Sequence, residues 1–269
     1  MDSSLIIDVG MHVGRDTDFY LQKGFRVVAV EAHPDLAARG RERFSREIAD
    51  GRLTIHEVAI AEHEGEVTFY VNSRQDDWGT ISPAFAARNE EMGTTNRAIT
   101  VPSTPFQTIL REHGIPYYLK VDIEGADLLC LRALADFESR PRYVSIESGL
   151  TSFEETFEEL SLLWSLGYRT FKIVDQAQNE HVRCPNPPFE GQFVDYRFDA
   201  TSSGPFGEEA PGTWMRVEET IDRYRRLLTE QKYFGGTGKL NTPLIRKPYE
   251  ILTGRRVGWY DIHARLGDG

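Results

Sequence analysis

The chain has 269 residues, 40% of them hydrophobic and 11% aromatic, enough for a sizeable core in one α/β domain or two small ones. Its 42 acidic residues outnumber 31 basic ones for a net charge of −11, and so negative a surface disfavours a nucleic-acid partner. Two cysteines, Cys130 and Cys184, suggest neither a disulfide framework nor a zinc motif. No apolar run nears the roughly 20 residues of a bilayer span, and no basic leader opens the chain, so a cytoplasmic protein is expected.

Leu5 to Val9 is a short apolar run ending at Gly10, the pattern of a buried strand feeding a tight turn. A helix from Asp16 to Lys23 follows, stopped by Gly24. Phe25 to Val30 is a second β-branched run, closed by Glu31, and Pro34 opens another helix through Phe44. Strand and helix alternating within about 50 residues imply βαβ units and a parallel sheet with helices on both faces. Leu53 to Ile60 gives a third strand, and Glu66 to Val71 alternates polar and apolar as an edge hairpin partner would. Asn72 to Arg97 has no clear period and reads as a loop with one short helix.

Further along, Ile99 to Val101 is a short strand and Pro105 to Glu112 a helix. Tyr117 to Asp122 is a strand, followed by Glu124-Gly125 and a helix from Ala126 to Leu134. Arg142 to Glu147, Phe153 to Leu166 and Tyr168 to Val174 give strand, helix and strand. From Thr201 the composition turns to Ser, Gly, Pro and aromatics, with one helix over Val217 to Gln231. The expected organisation is one domain over 1–200, with 201–269 as an appendage packed on it, whose Trp214, Tyr233, Phe234, Trp259, Tyr260 and His263 form either a substrate lid and part of the pocket or a core that fastens the segment to the sheet.

Gly10 and Gly14 follow the first strand and open the first helix. Glycines there let the backbone approach a ligand, and the helix N–H groups can meet a polar group. Glu31 ends the second strand about 20 residues on, where a carboxylate can accept both hydroxyls of a ribose. The spacing is not G-x-G-x-x-G, so the pyrophosphate cradle of a dinucleotide is incomplete. A nucleoside cofactor without a pyrophosphate, S-adenosyl-L-methionine, fits better than NAD.

Asp8-Val9-Gly10 with Gly14 and Thr17, Val30-Glu31 with Pro34, Val58-Ala59-Ile60, and above all Leu119-Lys120-Val121-Asp122-Ile123-Glu124-Gly125-Ala126-Asp127 are four pieces of sequence that together resemble the FkbM-type methyltransferases. The resemblance covers Leu5 to Glu147. It implies a Rossmann-like class I methyltransferase fold, a seven-stranded sheet in the order 3-2-1-4-5-7-6 with its last strand antiparallel. It also implies O-methylation of a hydroxyl on a sugar, glycan or natural-product scaffold. Family members commonly carry Asn where this chain has His12 and His33.

Asp8, Gly10, His12, Gly14, Thr17, Glu31, Ala59 and Asp122 are therefore expected at the cofactor. Methyl transfer to oxygen needs an aligned acceptor and removal of its proton. Asp122, at the end of the fourth strand, is a candidate general base, polar anchor or metal ligand. His12 is a second candidate base or a helix cap. Glu124 is catalytic or simply a carboxylate favoured at a helix start. Lys120 is expected to pair with Asp122 or Glu147. The segment Asp76 to Ser82 should border the acceptor, with Trp78 as a stacking face, Ser82 as a hydroxyl and Glu147 as a further pocket residue. Trp214 reads as a core aromatic fastening the C-terminal segment. His56, His63, His113 and His181 lie in no paired motif, and no metal is expected to be required. Two other readings stand beside this one: an NAD-linked oxidoreductase or epimerase, and a non-catalytic module that keeps the fold. Oligomeric state is left open.

Overall fold

A computed structural model describes residues 1–74, 78–148, 152–199, 201–234, 242, 245, 247, 248 and 259–267. Asp76 and Asp77 of the expected acceptor segment lie outside the described residues. The chain begins with β1 (Asp2–Val9), α1 (Arg15–Gln22), β2 (Arg26–Glu31), α2 (Pro34–Arg43), α3 (Ser45–Ala49) and β3 (Leu53–Glu57). It continues through β4 (Ala59–Ile60), β5 (Gly65–Asn72), α4 (Pro83–Glu91), β6 (Asn96–Thr104), α5 (Phe106–His113) and β7 (Pro116–Val121). The last elements are α6 (Asp127–Ala133), β8 (Tyr143–Ser148), α7 (Phe153–Ser165), β9 (Tyr168–Asp175), α8 (Val217–Phe234) and β10 (Tyr260–Leu266).

β1 takes the centre because every residue from Leu5 to Val9 is fully buried, so neither of its faces can be given to solvent. The large sheet runs β3-β2-β1-β7-β8-β10-β9. Numbering only its own seven strands along the chain turns this into 3-2-1-4-5-7-6, the order expected. β10 is antiparallel to both neighbours, with Asp261 opposite Glu147 on β8 and opposite Val174 on β9.

Strand alternation splits the interior in two. Ile7, Val9, Val28, Val30, Leu119 and Val121 face Phe106, Leu131, Leu163 and Tyr224 from α5 to α8. Ile6, Val27, Ala29 and Tyr118 face Phe19 and Tyr20 of α1, together with Phe198 and Phe206. At the end of α1, Gly24 adopts a φ of 90° and lets Phe25 N–H return to the Tyr20 carbonyl at 3.1 Å, which stops the helix.

Residues on both sides of position 200 join these contacts. Phe198 and Phe206 belong to one apolar cluster, and the segment after 201 supplies β10 between β8 and β9. Lys23 Nζ, fully buried, lies 2.8 and 2.9 Å from the two Glu209 carboxylate oxygens and fastens that segment to α1. Trp214 stacks on Tyr143, lies over the Lys172 and Arg265 cations, and donates from Nε1 to Glu208 at 2.8 Å. The alternating segment Glu66 to Val71 joins neither edge of the large sheet. It pairs antiparallel with β6 in a separate sheet ordered β4-β6-β5. No helix among the described residues is long and apolar enough to cross a membrane.

Candidate active site

The chain crosses from β1 to β2 in one direction and reaches β7 in the other, so the carboxyl end of β1 is a topological switch point, where open α/β sheets bind ligands. A cavity of about 370 Å³ opens there, within the ~300–1,000 Å³ usual for small-molecule sites. Its wall includes Gly10, His12, Glu31, Ala59, Asp122 and Glu147.

Gly10 turns the chain with a φ of 87°, and its N–H bonds the Val30 carbonyl at 2.9 Å. A Cβ on this residue would fall 1.9 Å from the carbonyl oxygen of Asp122, so only glycine lets β1 end so close to the β7 turn. His12 then takes the left-handed conformation, φ 52°, which is uncommon for a residue with a side chain. That bend aims its N–H at Glu31 Oε2, 2.8 Å away, while the N–H of His33 reaches Glu31 Oε1 at 2.7 Å.

The Glu31 carboxylate is therefore fixed by the loop on each of its oxygens and still has lone pairs to offer the cavity. Burial pushes its pKa up to about 7, against the opposing effect of the two N–H donors. His33 caps α2, its Nδ1 accepting from Asp35 N–H at 3.1 Å. A capping asparagine would do the same at that position.

Lys120 forms part of the floor of the cavity. Its Nζ lies 3.4 Å from Asp8 Oδ1, 3.4 Å from Asp122 Oδ2 and 3.7 Å from Asp16 Oδ2, and it donates to the Gly10 carbonyl at 3.3 Å. Burial opposes the lysine charge, but the carboxylates of Asp8, Asp122 and Asp16 outweigh it and push its pKa well above the usual value. Asp8 and Asp16 are themselves pushed up, chiefly by burial, Asp16 to about 6. Of the two partners expected for Lys120, Asp122 is found and Glu147 is not.

Glu124 does not begin a helix as expected. It occupies a second left-handed turn, φ 48°, three residues before α6. Thr80 donates its hydroxyl to the Glu124 carbonyl at 2.6 Å, and Arg88 of α4 lies 3.2 Å from the Glu124 carboxylate. The Phe85 ring fills the space a Cβ would need on Gly125, at 2.6 Å. Asp127 holds this turn, accepting from the N–H groups of Ile123 and Gly125 at 3.2 Å each.

Glu147 faces the same cavity from β8. Burial, then the neighbouring Asp122 and Glu124 charges, push its pKa well above the carboxylate range. Opposite it on β10, Asp261 is pushed up likewise by burial and Asp122, and it accepts a hydrogen bond from Gln176.

The structure thus brings Gly10, His12, Glu31, Ala59, Trp78, Asp122, Glu124 and Glu147 to one wall. It does not bring Asp8, Gly14, Thr17 or Ser82 there. Asp8 is fully buried and takes the Thr17 hydroxyl at 2.6 Å, a supporting pair behind the wall. Gly14 is glycine because a Cβ would meet the Phe44 ring at 2.5 Å. Ser82 caps α4, accepting from Phe85 N–H at 3.4 Å, and borders a separate groove.

Asp16, Gln176 and Thr201 line the cavity without having been singled out in the sequence, and Trp259, one of the C-terminal aromatics, joins them. Asp16 was the one legible candidate: it is an acidic residue two positions after a loop glycine. Here it accepts the Ser203 N–H, at 3.0 and 3.2 Å from its two oxygens.

Comparison with known proteins gives the arrangement its family. The model of the methyltransferase FkbM domain matches residues 8–170. A probable ribosomal RNA small subunit methyltransferase A of Haloarcula marismortui is 46% identical over 57 residues, 21% of this chain and 20% of that protein. Among solved structures, methyltransferase FkbM from Methylobacillus flagellatus is 18% identical with a TM-score of 0.36, over 54% of this chain and 32% of that one. Precorrin-6y C5,15-methyltransferase from Geobacter metallireducens is 10% identical with a TM-score of 0.39, over 99% of this chain and 82% of that one. The chain thus spans about a fifth of the curated relative and about a third of the first of these structures. With the family model covering more than half of its length, from β1 to β9, the chain belongs to the methyltransferase FkbM family.

Proposed function

We propose that this chain transfers a methyl group from S-adenosyl-L-methionine to a hydroxyl of a sugar, glycan or natural-product small molecule. The observation that carries the reading is a single cavity with a loop-fixed carboxylate, Glu31, on β2 and a half-buried carboxyl of raised proton affinity, Glu147, on β8. The residues fit the cofactor's nucleoside. Glu31 has acceptor positions left for two ribose hydroxyls, and Val58, Ala59, Ile60 and Phe69 give an apolar wall beside it.

When bound, the cofactor supplies an electrophilic methyl carbon on a positively charged sulfur. The chain's own residues then have three tasks. Gly10 and His12 shape the loop that seats the cofactor, and Lys120 holds that loop and Asp122 together. Trp78 and Trp259 offer apolar faces of the kind sugars stack on, with Thr201 and Trp259 closing the cavity from the C-terminal segment.

Glu147 takes the hydroxyl proton as the oxygen–methyl bond forms. Asp122 and Glu124 are already balanced by Lys120 and Arg88, so we read them as anchors that orient the acceptor. The net charge of −11 favours a small acceptor over a polyphosphate one.

Calorimetry with S-adenosylhomocysteine and with NAD tests the cofactor. Mass spectrometry after incubation with a panel of hydroxylated glycans and scaffolds tests the acceptor. Binding of NAD alone would overturn the reading, and methylation confined to amines or nucleic acid would overturn the hydroxyl acceptor.

A further inference from the structure

Two histidines with no sequence motif between them meet at the edge of the large sheet. His56 lies on the edge strand β3, opposite Val30 of β2, and so projects to the face that α5 covers. His113 is the last residue of α5. Their Nε2 atoms are 2.7 Å apart, and Glu112 Oε1 is 3.4 Å from His113 Nε2. All three ligand atoms lie within 4.8 Å of one another. The two rings are half-buried and Glu112 is exposed. None of the three residues lines the cofactor cavity.

From this convergence we propose that His56, Glu112 and His113 form a binding site for Zn²⁺ or a similar borderline transition-metal ion, bracing β3 against α5. Two imidazole nitrogens and one carboxylate are the donor set such ions prefer, whereas Mg²⁺ and Ca²⁺ want oxygen ligands. Bonds of about 2.0–2.1 Å to a tetrahedral ion place two ligand atoms about 3.3 Å apart. The Glu112–His113 separation of 3.4 Å already matches that spacing. The two ring nitrogens have to part by about 0.6 Å from their 2.7 Å, a small side-chain rotation at a half-buried surface.

The fourth position is left to water on the exposed side. Glu112 also sits at the carboxyl end of α5, where the helix dipole disfavours a negative charge and a bound cation would offset it. The nearby Arg26 guanidinium is held by Asp2 at 3.0 Å.

The test is calorimetry of Zn²⁺ into untagged, chelator-stripped full-length protein, with Co²⁺ absorption as a second readout. We expect one Zn²⁺ per chain at micromolar affinity or tighter, with a rise in melting temperature that follows occupancy. His56→Ala and His113→Ala should abolish the event. Glu112→Gln, at an exposed helix end where folding is not at risk, should weaken it by about tenfold. Cys184→Ser, which removes a half-buried free thiol, should leave binding unchanged. The Co²⁺ protein should show tetrahedral visible bands without thiolate charge transfer. Absence of binding at 100-fold excess Zn²⁺, binding that survives Glu112→Gln or either histidine variant unweakened, or thiolate charge-transfer bands would each overturn the site.

Discussion

Lys120 Nζ lies 3.4 Å from Asp122 Oδ2, and the pair is asymmetric: the lysine side chain is 5% exposed, whereas 35% of the aspartate faces the cavity. The ammonium therefore belongs to the interior, shared with Asp8 and Asp16, and the aspartate is its outlet to the site.

Lys120→Met should destabilise the fold by roughly 3–5 kcal/mol at pH 8, since it leaves buried carboxylates without their cation. Asp8 and Asp16 already have folded pKa values above 3.8, and losing Lys120 raises them further. The folded state then binds more protons than the unfolded one above pH 4, so the deficit should shrink as pH falls from 8 to 5. Urea denaturation at the two pH values measures it, and an equal deficit at both would show that the carboxylates do not depend on the lysine.

Gly10→Ala tests the closest backbone approach at the site. The added Cβ would lie 1.9 Å from the Asp122 carbonyl oxygen at a φ of 87°, so β1 and the β7 turn must separate. Destabilisation of about 1–3 kcal/mol and loss of S-adenosylhomocysteine binding in protein that remains folded are expected. Gly14→Ala disturbs the Phe44 packing instead and should affect stability more than affinity.

The layered fold was legible because its signals are local. Leu5 to Val9 is apolar at all but Asp8, Gly24 ends a helix by its own left-handed geometry, and the strand–helix alternation dictates a parallel sheet. The small sheet was not legible, since Glu66 to Val71 alternates equally well for an edge strand of either sheet and its partner is chosen 30 residues later. β10 was hidden because Tyr260 to Leu266 pairs with strands over 80 residues earlier.

At the site, Gly10, Glu31 and Asp122 could be found from strand ends alone. The left-handed turn of Glu124 could not, because Thr80 and Arg88 hold it from an inserted element. The His56–His113 pair likewise exists only once β3 and α5 are packed together.

Glu31→Gln should weaken S-adenosylhomocysteine binding by about 1–3 kcal/mol, the usual loss for charge-assisted hydrogen bonds. The wild-type carboxyl titrates at about 7, so its acceptor strength toward a ribose grows as pH rises from 6 to 8. Wild-type affinity should increase over that interval, and Glu31→Gln should flatten the increase. The same raised pKa makes ionised Glu31 a stability cost. Its contribution is most favourable below pH 4.5 and is lost as pH rises through about 7. Calorimetric titrations at three pH values check the binding arm; affinity indifferent to both pH and substitution would place the ribose elsewhere.

Glu147→Gln separates the base from its neighbours. The glutamine keeps the shape and the burial but cannot take a proton, so kcat should fall by about 10²–10⁴-fold while S-adenosylhomocysteine affinity stays within threefold. Glu147 has its proton affinity raised by burial and by Asp122 and Glu124, so the wild-type rate should climb with pH on the limb where this carboxyl ionises. That limb should vanish in the variant. His12→Ala keeps the backbone N–H that serves Glu31 and removes only the imidazole, so it should retain the pH limb. If Glu147→Gln retains full turnover and His12→Ala instead removes the limb, the proton goes to the imidazole. The carboxyl on β8 would then be an acceptor contact rather than the base.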